Sequence, residues 1–306
     1  MTLTDHVTKK IISRVLRSKD YRIEVINLIN AEFMLFSVDF FKQVFNAKRY
    51  SRKIDIEWYK ETFLNTQLYH PDKIAIHCGL NKKTIHNMFG TTKRSTVLQA
   101  SFDHFESLYD NILNLTENEA DMDLRQTISF NGESIELSTS EALVVMNVLS
   151  VKRAALRGGL WSTVGKQAEK KLMLALCKLY QVPEEYYSTR KFVRDRSNKP
   201  VNREVDFYLK NDDREYKCEV KLMGKGNPEC ADSTLARESK VFVADTLSQQ
   251  NKNQCDQFGV NWVACRDVEG YKRFKLALEN LGIPHTDYTG NLEEDLPAIL
   301  DEIFNS

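Results

Sequence analysis

Apolar residues recur every third or fourth position over the first fifty residues, with Ile11, Ile12, Val15 and Leu16 followed by Val25, Leu28 and Ile29. That spacing lines one side of a 3.6-residue helix, so the segment is expected to be helical. Residues 70–95, HPDKIAIHCGLNKKTIHNMFGTTKRS, interrupt the pattern with two glycines. A short helix from Lys73 to Cys78 should stop at Gly79, and Asn81 should cap a second helix that Gly90 ends. Two helices joined through a glycine turn form either a plain helical corner or a helix–turn–helix, whose second helix enters a DNA major groove. In the second case Lys82, Lys83 and Thr84 open the groove-facing helix, and Lys93 and Arg94 stand beyond it for phosphate. A long helix is expected over 96–115, then an acidic linker, TENEADMD. The hairpin signal at 127–137 carries Asn131-Gly132, which suits a type I′ turn, and Ser138 or Ser140 should cap the helix that follows.

Beyond about residue 155 the pattern mixes both periods. An amphipathic helix is expected over 163–182, with further helices near 231–239, 247–258 and 268–281. Strands are expected near 191–194, 203–210, 214–222, 240–245 and 261–266. A helix, an antiparallel meander, then another helix and strand imply an α/β or α+β domain. The boundary falls between 116 and 155, giving a helical domain over 1–150 and a mixed domain over 151–306.

Strict alternation is clearest in REVDFYLKNDDREYKCEVKL, residues 203–222. A turn centred on Asp212-Asp213 sets Asn211 opposite Arg214 and Asp206 opposite Glu219. One face then carries Val205, Phe207, Leu209, Tyr216, Cys218, Val220 and Leu222, and must pack inward. The other carries Glu204, Asp206, Tyr208, Lys210, Glu215, Lys217, Glu219 and Lys221, and is either a solvated face of mixed charge or the lining of a metal site. In that register Asp206 and Glu219 approach within about 5.5 Å at Cβ, with Lys221 two residues along. Facing carboxylates repel, so either neighbouring lysines or a divalent cation must compensate.

Composition narrows the partners. The 306 residues carry equal numbers of acidic and basic side chains, but in blocks: net +8 over 1–100, −9 over 101–150, +8 over 151–200 and −7 over 201–306. The two basic blocks flank the motifs above and can give a neutral molecule one positive face. Six cysteines without a C-x-x-C pair argue against a disulfide framework and a zinc knuckle. No apolar run approaches the roughly 20 residues of a membrane span, and the amphipathic N-terminus lacks a signal-peptide core, so a cytoplasmic location is expected.

Asp206, twelve residues, then Glu219-Val220-Lys221 resembles the PD-(D/E)XK nuclease signature, with Val205 where a proline usually stands. The helix acid Glu169, in GKQAEK, matches a frequent accessory metal ligand of that family. The helical N-terminal part resembles type II restriction endonucleases, and the run GNPECADSTLARESKVFVADTLSQQNKNQ (226–254) is similar to the CfrBI-type group. The resemblance implies a restriction-endonuclease-like core, a mixed sheet flanked by helices, after a mainly α-helical domain. It implies Mg²⁺ held by Asp206 and Glu219, with Lys221 catalytic and Glu169 accessory, acting on double-stranded DNA in a bacterial cytoplasm. A palindromic site implies a homodimer, and restriction implies pairing with a cognate DNA methyltransferase. The segment RDRSNK resembles the guanine-reading R-(D/E)-R element of enzymes cutting CC…GG sites, although that element normally follows the catalytic lysine. On that likeness Arg194, Asp195, Arg196, Lys199 and Arg203 are DNA-contact candidates. Competing readings are a non-catalytic helix–turn–helix regulator and a repair or recombination nuclease.

Overall fold

The computed structural model describes residues 2–51, 56–118, 124–189, 207–222 and 238–305. Spatially these form two compact units, one of residues 29–159 and one joining residues 1–28 to 160–306. Residues 1–28, assigned from the sequence to the helical domain, therefore group with the C-terminal part.

The unit of residues 29–159 is helical apart from one hairpin. It holds most of α2 (Arg22–Tyr50), then α3 (Glu57–Phe63), α4 (Pro71–His77), α5 (Lys82–Phe89) and α6 (Arg94–Asn118). Strands β1 (Gln126–Phe130) and β2 (Glu133–Leu137) pair antiparallel. Asn131 and Gly132 both have positive φ, as the type I′ turn requires. Its core gathers Phe40, Val44, Trp58, Tyr59, Phe63, Ile74, Phe105 and Val145. A satellite cluster of Ala75, Leu80, Ile85, Val97 and Ala100 locks α4, α5 and α6 together. Asn81 caps α5 by accepting from the Thr84 N–H at 3.0 Å, and Gly90 ends it in the left-handed region. Gly79 turns the chain at φ +83°, and an added Cβ there would lie 2.2 Å from Asn147 Nδ2. Only glycine satisfies both the dihedral and the space.

One difference concerns α7, which runs unbroken from Thr139 to Leu179 where two helices were expected. Its Gly158-Gly159 step costs helix propensity, and buried apolar positions lie on either side of it, Val144, Val145 and Val148 before and Val164, Ala168 and Leu172 after.

The other unit contains α1 (Leu3–Leu16) and a five-stranded sheet in the order β3-β4-β5-β6-β7. The strands are β3 (Tyr187–Ser188), β4 (Phe207–Lys210), β5 (Glu215–Lys221), β6 (Val241–Ala244) and β7 (Asn261–Ala264). β3, β4 and β5 run antiparallel, whereas β6 and β7 run parallel to β5. The β4–β5 register pairs Phe207 with Cys218 and Lys210 with Glu215, as parity required. Asn211 closes the turn: its N–H donates to the Arg214 carbonyl at 2.9 Å and its Oδ1 accepts from the Asp213 and Arg214 amides. The helix Gln249–Gln257 covers one face, with Cys255 and Val260 packed on Phe242 and Ala244. The helix Leu292–Asn305, absent from the sequence reading, is tied to α1 through Arg17–Glu293 at 2.6 Å and a Lys9–Asp301 ion pair.

The second face of the hairpin is not evenly solvated. Glu219, placed on the charged face by parity, is fully buried. β5 is the central strand, flanked by β4 and β6, and Glu219 stands in register with the buried Phe242. Its exposure falls from the turn at Glu215 to burial on both faces at Cys218, Glu219 and Val220. Parity fixed which residues share a face, but not that this face is covered at Glu219.

Candidate functional site

The C-terminal end of β5 gathers the chemistry. Glu219 and Lys221, two residues apart on one face, meet as an ion pair with Oε1 2.6 Å from Nζ. The carboxylate is fully buried, whereas the lysine side chain keeps 21% of its surface open. A buried carboxylate is costly without compensation, and the ammonium supplies it while its outer side still reaches solvent.

Glu169 arrives from α7. Val164, Ala168, Leu172 and Leu176 bury at helical spacing, and Glu169 lies beside that stripe with only 9% of its surface exposed. Its Oε1 accepts from the Leu222 N–H at 3.4 Å, one residue past Lys221. Helix packing therefore delivers the upstream acid to the strand end that carries Glu219 and Lys221.

Asp245, outside the motif read from the sequence, also has a setting that local pattern does not give. It follows Ala244, which is in register with Lys221, and is fully buried. Its Oδ1 accepts from the Thr246 N–H at 2.7 Å, and Oδ2 faces Arg266 Nη2 at 3.2 Å as an ion pair without a hydrogen bond. Burial raises the Asp245 pKa, opposed by the Arg266 charge. The buried Tyr21, just before α2, has its pKa raised first by burial, then by the Asp245 carboxylate, with Glu169 adding to it. The acid after VFVA in the sequence was the available signal; its partner lies on another strand and could not be read locally.

Asp206, Arg194, Asp195, Arg196, Lys199 and Arg203 lie outside the described residues. Among the described residues no group of three or more His, Cys, Asp or Glu side chains is placed to hold a metal ion. The donors that are described, Glu169 and Glu219, are hard carboxylate oxygens of the kind Mg²⁺ takes one or two of, alongside water and phosphate. Such donors fit that ion in chemistry.

The glycine corner of the helical unit presents a second set. Lys82 and Lys83 are exposed on α5 and Thr84 is half-buried beneath the Asn81 cap. Lys82 is paired with Asp72 at 3.1 Å. Lys83, Lys93 and Arg94 are exposed and have no acidic partner among the described residues. His77 and His86 lie on either side of the turn without forming a metal set, His77 being packed among Phe40, Phe63 and Tyr69. No helix among the described residues is long and apolar enough to cross a membrane.

A mixed sheet flanked by helices, with acids and a lysine at the end of its central strand and a helical region beside it in sequence, defines a restriction-endonuclease-like protein. The profile of the CfrBI restriction endonuclease family matches residues 5–252, and the chain belongs to that family. It is a type II restriction enzyme, a site-specific deoxyribonuclease acting on DNA. Membership decides for the nuclease over the non-catalytic regulator and for restriction over repair. No curated protein and no solved structure matches the chain.

Proposed function

We propose that the enzyme is a PD-(D/E)XK nuclease that hydrolyses both strands at a short palindrome of the CC…GG type. The observation that carries this reading is the Glu219–Lys221 pair at 2.6 Å on the central strand, with Glu169 bonded to the next amide at 3.4 Å. Asp206 and Glu219 would hold Mg²⁺, with Glu169 accessory. When bound, the ion acidifies water and offsets charge on the scissile phosphate. Glu219 fixes the Lys221 ammonium at the open end of the strand. From there Lys221 orients the attacking water and balances negative charge as the phosphorane-like transition state forms. The water oxygen bonds to phosphorus, the bond to the 3′ oxygen breaks, and that oxygen takes a proton, leaving a 5′-phosphate and a 3′-hydroxyl.

Burial of Glu219 serves this chemistry. In a low-dielectric setting the carboxylate and ammonium act on each other and on phosphate more strongly than they would in water. Arg194, Asp195, Arg196, Lys199 and Arg203 contact DNA near the cut. The corner built by α4 and α5 contacts DNA as a helix–turn–helix, with Lys82, Lys83 and Thr84 at the groove and Lys93 and Arg94 on phosphates. A palindromic site calls for a two-fold homodimer, and a cytoplasmic restriction enzyme needs a cognate methyltransferase to protect host DNA.

The test is digestion of a sequenced plasmid with Mg²⁺, which should give discrete bands with 5′-phosphate ends. Asp206→Ala and Lys221→Ala should each abolish cleavage while leaving DNA binding largely intact. Cleavage by Lys221→Ala at the wild-type rate would remove the lysine from the site.

A further inference from the structure

We infer that Asn87 is a base-reading residue of α5, a position that sequence reasoning passed over in favour of the helix start. This rests on the helix–turn–helix reading proposed above. Ile85 is the one buried residue of α5 and fixes the helix on α4 and α6. Residues two positions either side of it lie about 200° around a helix, on the side facing away from the body. Those residues are Lys83 and Asn87, both exposed, and they stand one turn apart at i and i+4. The outermost line of α5 is therefore a lysine and an asparagine, whereas Thr84 is half-buried and Lys82 is held by Asp72 at 3.1 Å.

The Asn87 side chain makes no hydrogen bond among the described residues. An amide offers a donor and an acceptor side by side, the pattern that pairs with N6 and N7 of adenine in the major groove. The surroundings favour a polyanion as occupant of this face. Lys83, Lys93 and Arg94 are exposed without acidic partners among the described residues, and neither α5 nor α6 has an acidic residue in its first turn. Met88 and Phe89, 62% and 51% exposed, continue the helix end and offer apolar surface suited to a thymine methyl. With Lys93 and Arg94 on phosphate, the helix would be held against the groove and Asn87 turned to a base edge.

The experiment uses the full-length enzyme and duplexes carrying the site mapped by plasmid digestion, with each base pair in and beside it changed singly. Binding is read by anisotropy without Mg²⁺, beside a random-sequence duplex of equal length. Asn87→Ala should lose roughly 10- to 100-fold of discrimination at one A·T pair while binding the random duplex as the wild type does. Asn87→Ala with wild-type preference at every position would overturn the inference. The variant Lys83→Ala, Lys93→Ala, Arg94→Ala separates the two levels of the reading. It should bind the random duplex more weakly and with a flatter salt dependence. If it binds unchanged, the helix–turn–helix reading fails and takes the Asn87 assignment with it. If it weakens while Asn87→Ala keeps full preference, the corner contacts DNA and Asn87 does not read it.

Discussion

His77 makes the glycine corner acid-sensitive, by an amount the structure sets. It is the last residue of α4, where a helix C-terminus would favour its charged form by about 0.3–1 kcal/mol. Burial opposes this and prevails. The ring is enclosed by Phe40, Phe63 and Tyr69, and its pKa falls from 6.5 to about 4, with burial the largest cause. The hydrogen bond between Nδ1 and the Phe63 carbonyl at 3.0 Å resists that fall, while Lys73 and Lys152 add to it. The unfolded chain takes up this proton below pH 6.5, and the folded protein only near pH 4. The contribution is therefore full above pH 6.5 and is lost as pH falls towards 4. Between those limits it amounts to about 3 kcal/mol, a large share of the roughly 5–15 kcal/mol that holds a domain folded. The assay is guanidinium unfolding at pH 7.5 and 4.5, followed by Trp58 fluorescence with Trp161 and Trp262 replaced by Phe. Trp58 lies in the same core as His77, so it reports this unit. His77→Gln keeps an amide donor for the Phe63 carbonyl but cannot titrate. The wild-type background should lose about 2–3 kcal/mol more than the His77→Gln protein between the two pH values. Equal losses in the two proteins would refute the assignment of acid sensitivity to this ring.

Three other outcomes follow from the geometry. Gly79→Ala should cost about 2 kcal/mol or more, read as a lowered Tm, because it forces a non-glycine residue to φ +83° and drives its Cβ against Asn147 Nδ2; an unchanged Tm would mean the turn relaxes freely. Asp245→Ala should destabilise the sheet unit by about 2 kcal/mol in a denaturant titration, since it strips a mostly buried Arg266 of its nearest acid; a change under about 0.5 kcal/mol would make the pair incidental. Glu169→Gln should keep the hydrogen bond to the Leu222 amide but slow cleavage at low Mg²⁺, with recovery as Mg²⁺ is raised. No Mg²⁺ dependence of that defect would place Glu169 in a purely structural role.

The β4–β5 hairpin shows how far local pattern reaches. With an even loop at NDD, alternation set a register that buries Phe207, Leu209, Cys218 and Val220; all four are buried, and the described pairs from Phe207–Cys218 to Lys210–Glu215 follow it. Gly79, Asn81 and Gly90 were equally legible, because turn and cap chemistry is set by backbone dihedrals and neighbouring amides. Asp206 and the basic run 190–206 lie outside the described residues, so their roles rest on the motif and the family.

Chain order and side-chain period thus determined by themselves the β4–β5 register, the glycine corner and the hairpin at Asn131-Gly132. Tertiary structure alone decided that the charged face of β5 is buried at Glu219, because burial depends on the strands and helices laid against that face. It also decided that Glu169 comes to the amide beside Lys221 from 53 residues away, and that Asp245 meets Arg266 from the next strand. Periodicity constrains a residue only against its near neighbours. Which distant groups converge is set by how the buried faces pack, and here packing brings Glu169 from its helix to the strand end that carries Glu219 and Lys221.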